Sequence, residues 1–64
     1  MPEYGGMTVN ERLVISGRKG AVDDAARRRD RDKMMEILRA VDMTPDGAAK
    51  VADAVLADPA RYGL

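Results

Sequence analysis

At 64 residues the chain has room for one domain and one core, and chains this short bury only about 60% of the surface they expose when unfolded. It has no Cys and no His, which excludes disulfide staples and removes the commonest zinc ligands, leaving helix packing, self-association or a partner protein as sources of stability. Eleven Lys and Arg balance eleven Asp and Glu, and a neutral total argues against a dedicated nucleic-acid or membrane-surface binder.

Residues 1–7 include Pro2, Gly5 and Gly6 and little that can bury, so they read as a disordered lead to a single helical domain over 8–64. Thr8-Val9-Asn10-Glu11 spells a capping box: the Thr8 hydroxyl accepts from the Glu11 amide, and the Glu11 carboxylate accepts from the Thr8 amide. A first helix over about 9–16 follows, with Gly17 suited to its C′ position. Val9, Leu13 and Val14 share a face and Ile15 lies off it; the β-branched pair Val14-Ile15 leaves a strand open as the other reading. Gly17-Arg18-Lys19-Gly20 is expected as a loop. Two glycines around two cations suggest a phosphate cradle, but G-x-x-x-x-G-K-[ST] is absent and a solvated turn explains the stretch.

A second helix is expected over about 21–29, with Val22, Ala25 and Ala26 as its modest apolar face. It cannot run on into the next. Traced backwards, the face of Met34 meets Arg31, Asp30 and Arg27, so a break near Asp30–Asp32 must realign the two faces, with Asp30 or Asp32 as N-cap. The central helix, about 31–42, places Met34, Ile37, Leu38 and Val41 at i, i+3, i+4 and i+7, the richest apolar stripe in a chain without Phe or Trp. Thr44-Pro45-Asp46 restarts the chain, Thr44 as N-cap, Pro45 at the first helical position and Asp46 at the positive end of the dipole. The last helix, about 45–57, aligns Ala48, Val51, Ala52, Val55 and Leu56 and offers Asp46 and Lys50 as an i, i+4 ion pair. Asp58-Pro59 stops it, and Tyr62 and Leu64 can fold back onto the bundle.

The expected architecture is therefore all-α, a small bundle of three to four short helices (9–16, 21–29, 31–42, 45–57). Leu13, Met34, Ile37, Leu38, Val41, Val51, Val55 and Leu56 form its expected core, and Met35 sits at the core's edge.

The chain offers little for chemistry. General acid–base work most often uses His and nucleophilic catalysis often Cys, and both are missing. Ser16 lacks a His base and a G-x-S-x-G elbow. The acidic pairs Asp23/Asp24 and Asp30/Asp32 lack the further oxygen ligands and terminal Glu of a calcium loop. A chain this small is not expected to enclose a ligand pocket of about 300 Å³ or more. The reading is no enzyme activity and no catalytic, cofactor or metal residues.

Charge is uneven along the chain. Residues 18–33 hold seven basic and four acidic side chains, a local net of +3, and residues 34–64 hold three basic and five acidic, a net of −2. Arg27, Arg28, Arg29, Arg31 and Lys33 are the candidate nucleic-acid contacts. The interleaved Asp30 and Asp32 and the lack of a nearby aromatic side chain favour a solvated, salt-bridged junction instead. A nucleic-acid regulator would resemble a ribbon-helix-helix protein, with 9–15 as a strand before helices 31–42 and 45–57. The favoured class is a protein–protein interaction module: an accessory or regulatory subunit, or a homodimer. Ile15, Met35, Tyr62 and Leu64, left over by the helix stripes, form its candidate partner surface. No apolar run approaches the roughly 20 residues of a membrane span, so no membrane partner is expected. No basic stretch followed by an apolar one opens the chain, which points to the cytoplasm.

Thr8-Val9-Asn10-Glu11-Arg12-Leu13 near the start and Asp58-Pro59-Ala60-Arg61-Tyr62-Gly63 at the end resemble a group of short uncharacterised bacterial proteins. The resemblance spans most of the chain beyond Gly6. It implies a bacterial cytoplasmic source and carries no activity, and both motifs also read as helix punctuation.

Overall fold

A computed structural model describes residues 6–64; the expected disordered lead therefore falls mostly outside the described residues. Four α-helices follow one another, α1 (Val9–Ile15), α2 (Lys19–Arg27), α3 (Arg31–Ala40) and α4 (Pro45–Ala57), and a 3₁₀ turn over Pro59–Tyr62 closes the chain. Among the described residues there is no strand. The first segment is a helix, and the strand reading of 9–15 is overturned by its N-terminus. The Thr8 hydroxyl accepts from the Glu11 amide at 3.2 Å, and the Glu11 carboxylate accepts from the Thr8 amide at 3.1 Å. That reciprocal pair satisfies two backbone donors that a strand would leave to a neighbour.

The remaining starts follow the same chemistry with one exception. Asp30 caps α3 by accepting from the Lys33 amide at 3.1 Å, and Thr44 caps α4 by accepting from the Gly47 amide at 3.1 Å, with Pro45 next. Helix α2 has no side-chain cap. It starts at Lys19, two residues earlier than expected, so Lys19 and Gly20 belong to its first turn and the loop shrinks to 16–18. An ion pair from Lys19 to Asp23 at 2.6 Å, one turn on, spans that start.

The three turns between helices share one geometry. After α1 the Arg18 amide donates to the Leu13 carbonyl (2.8 Å) and the Gly17 amide to Val14 (3.1 Å). After α2 the Asp30 and Arg29 amides donate to Ala25 (2.9 Å) and Ala26 (3.0 Å). After α3 the Met43 and Asp42 amides donate to Leu38 (3.4 Å) and Arg39 (3.1 Å). Each is a Schellman closure, which needs a left-handed residue at C′. Gly17 (φ 74°) supplies it once; Arg29 (φ 55°) and Asp42 (φ 69°) supply it without glycine. These closures end α2 at Arg27 and α3 at Ala40, each two residues short of the expected boundary.

Helix α3 is the centre of the bundle and packs against both α2 and α4. Its stripe Met34, Ile37, Leu38 and Val41 is buried together with Leu13 of α1, Val22, Ala25 and Ala26 of α2, and Ala48 and Ala52 of α4. Here the expected core needs correcting. Val51, Val55 and Leu56 are only partly covered, while Ala48 and Ala52 have no exposed surface. The small residues let α4 approach α3 closely, so the alanine line becomes the contact. At about 100° per residue, Val51 and Val55 fall to one side of that line and Leu56 to the other. Polar ties span the elements: Arg12 donates to the Val41 carbonyl (3.4 Å), Arg29 to the Leu56 carbonyl (3.2 Å), and Arg31 pairs with Asp53 (2.8 Å).

Candidate functional site

Because the alanines take the contact with α3, the valine side of α4 is left beside an opening. Helix α1 packs chiefly on α2, so α1 and α4 stand apart. Between them runs an apolar groove of about 390 Å³. Its floor is the core itself: Leu13, Val22, Ala26, Met34 and Leu38. Val9 and Asn10 of α1 form one wall, Val51, Ala54 and Val55 of α4 the other, and Tyr62 and Leu64 line it from the C-terminal turn. The Lys19–Asp23 pair and Lys50 bring the charge to its lining. The expectation concerned an enclosed pocket of about 300 Å³ or more, and this groove is open at the surface. The space is formed between helices as a surface groove, which a short chain can hold without enclosing it.

The candidate partner residues do not form one patch. Tyr62 and Leu64 both line the groove, Tyr62 45% exposed and Leu64 half-buried against the core. Gly63, in the left-handed conformation (φ 78°), lets the Leu64 amide return to the Pro59 carbonyl at 3.0 Å and so turns Leu64 onto the bundle. Met35 packs at the edge of the core and is not part of the groove. Ile15 is 60% exposed but sits at about 100° around α1 from Val14, on the side away from Asn10. Sequence reasoning missed Val51, Ala54, Val55, Lys50, Val9 and Asn10 as lining residues. The available signal was the Ala48/Ala52 line, which marks close helix approach and displaces the neighbouring valines.

The basic segment is largely occupied within the fold. Arg28 pairs with Asp24 (3.4 Å), Arg31 with Asp53 (2.8 Å) and Lys33 with Glu36 (3.3 Å), while Arg29 covers a carbonyl at the end of α4. Among the described residues Arg27 alone of the five has no such partner. The Arg31 hydrogen bond holds the Asp53 carboxyl below its ordinary pKa, and Asp53 raises that of Arg31. The Thr8 amide and hydroxyl likewise lower the pKa of Glu11. These shifts belong to helix-joining and capping contacts on the surface, outside the groove lining. Asp46 and Lys50, expected as an ion pair, are not within pairing distance, so Lys50 enters the groove lining uncompensated by α4.

Among the described residues no group of three or more His, Cys, Asp or Glu side chains could hold a metal ion, and no helix is long and apolar enough to cross a membrane. No family model, curated protein or solved structure matches the chain.

Proposed function

We propose that the chain is a non-enzymatic protein-interaction module of the bacterial cytoplasm, and that its groove between α1 and α4 receives an aliphatic helix face or short apolar segment of another protein chain. The observation that carries this is the groove. Its floor is the closed core, and its walls (Val9, Val51, Ala54, Val55, Tyr62 and Leu64) are partly or fully exposed, so an apolar occupant gains by removing that wall surface from water. The few polar groups in its lining can orient an occupant, as in helix-in-groove recognition. An accessory or regulatory role follows for a module that binds without chemistry of its own. The nucleic-acid alternative loses support on two counts: a ribbon-helix-helix reader needs a strand where α1 is helical, and four of the five cations it would use, all but Arg27, are engaged within the chain.

The reading is tested by affinity capture from the cell of origin with three full-length forms. Ala54 is exposed at the groove wall, so Ala54→Arg obstructs the groove without touching the core. Arg39→Ala, on an exposed position outside the groove, is the control. A protein retained by the wild type and by Arg39→Ala, but lost with Ala54→Arg, supports the proposal. Retention unaffected by Ala54→Arg contradicts it.

A further inference from the structure

Resting on the groove reading above, we infer that the occupant is a second copy of this chain, with the α1 helix of each copy seated in the groove of the other about a two-fold axis. An isologous interface requires that one surface patch carry both the projection and the recess. The α1 edge meets that requirement. Val14 is 59% exposed and lies about 40° around α1 from Asn10, which already lines the groove. The apolar projection and the apolar recess are therefore neighbours on one patch. With Val14 pointing into the partner's groove, Asn10 on its one side faces the partner's α1. Glu11, about 60° to the other side, faces the partner's α4.

The charges match this arrangement. Glu11 is exposed on α1, and Lys50 is exposed on the α4 wall with no ion-pair partner among the described residues. The two-fold operation brings Glu11 of each copy to Lys50 of the other, so both pairs form at once. A modest dimer asks for a small share of this surface. A small specific interface takes ~600 Å² from each copy, about a seventh of this chain's 4192 Å². The α1 edge, the α4 wall and Tyr62 lie around one groove. An interface of that size gives a dimer that dissociates on dilution.

Sedimentation velocity of the full chain between about 10 μM and about 1 mM decides the matter. The expected result is a shift from one copy towards two. Val14→Asp, at an exposed site, keeps the helical circular dichroism and abolishes the shift. Lys50→Glu weakens association about tenfold. A chain that stays monomeric throughout overturns the inference, as does a dimer that Val14→Asp leaves intact. A monomer whose groove-dependent capture of a different protein persists removes the second copy and keeps the groove reading. A monomer whose Val55 methyl signals show contact with residues 1–5 of the same chain removes both.

Discussion

Leu38→Ala probes the packing on which both the bundle and the groove floor depend. Leu38 has no exposed surface, lies on the central stripe of α3 and forms part of the groove floor. The substitution removes three carbon atoms, and at ~0.8 kcal/mol for each buried carbon the lost transfer energy is about 2.4 kcal/mol. A sealed cavity would add to this, and buried Leu→Ala changes span about 2–5 kcal/mol. Here the void opens into the groove and water can enter it, so the total is about 2.5–3.5 kcal/mol. A chain of this length has about 3–10 kcal/mol of stability at natural per-residue values, so the variant loses much of its margin. Urea unfolding followed by circular dichroism at the helical minimum measures the change from the midpoint at constant slope. A loss below about 0.5 kcal/mol would refute the placement of Leu38 in the core.

Three further outcomes follow from the turns and caps. Asp42→Gly, which relieves a left-handed backbone at a side chain with no hydrogen bond or ion pair among the described residues, stabilises the chain by about 0.5 kcal/mol once the greater freedom of glycine in the unfolded state is counted, read as a higher Tm. Arg29→Gly shows no comparable gain, since it also removes the donor to the Leu56 carbonyl. Thr44→Ala costs about 1 kcal/mol by removing the acceptor for the Gly47 amide, and Thr44→Ser restores it; urea midpoints distinguish the two. Glu11 and Asp53 have folded pKa values below their unfolded ones, so the stability they contribute is present above the unfolded values and is lost as pH falls through the folded ones. Tm therefore declines below about pH 4.5, and the double change Glu11→Gln, Asp53→Asn flattens that decline.

The parts of the fold legible in the sequence are those governed by local hydrogen bonding and by one strong periodicity. Thr8 with Glu11, Asp30, and Thr44 with Pro45 all cap where their residue types predict, because a side-chain acceptor one turn from an orphan amide needs no tertiary information. The stripe from Met34 to Val41 is buried because no other segment offers comparable apolar area. The ends of α2 and α3 were hidden because their left-handed C′ residues are Arg29 and Asp42, where the usual signal is glycine. The start of α2 was hidden because Arg18 makes no side-chain cap. The groove depends on which residues of α4 touch α3. Bulk favours Val51 and Val55 as core, whereas close approach selects Ala48 and Ala52 and leaves the valines at the opening. Tyr62 and Leu64 were recognisable as residues the stripes left over, but nothing local separates them from Ile15, which projects from another side of α1.

The central claim is that another protein chain occupies the groove, and site-specific photo-crosslinking in the cell of origin tests it most directly. A photoreactive residue replaces Lys50 at the groove wall or, in a second form, Arg39 outside it. The account predicts a discrete covalent adduct with a protein chain from position 50 and none from position 39. No protein adduct at position 50, or the same adduct from both positions, would contradict it.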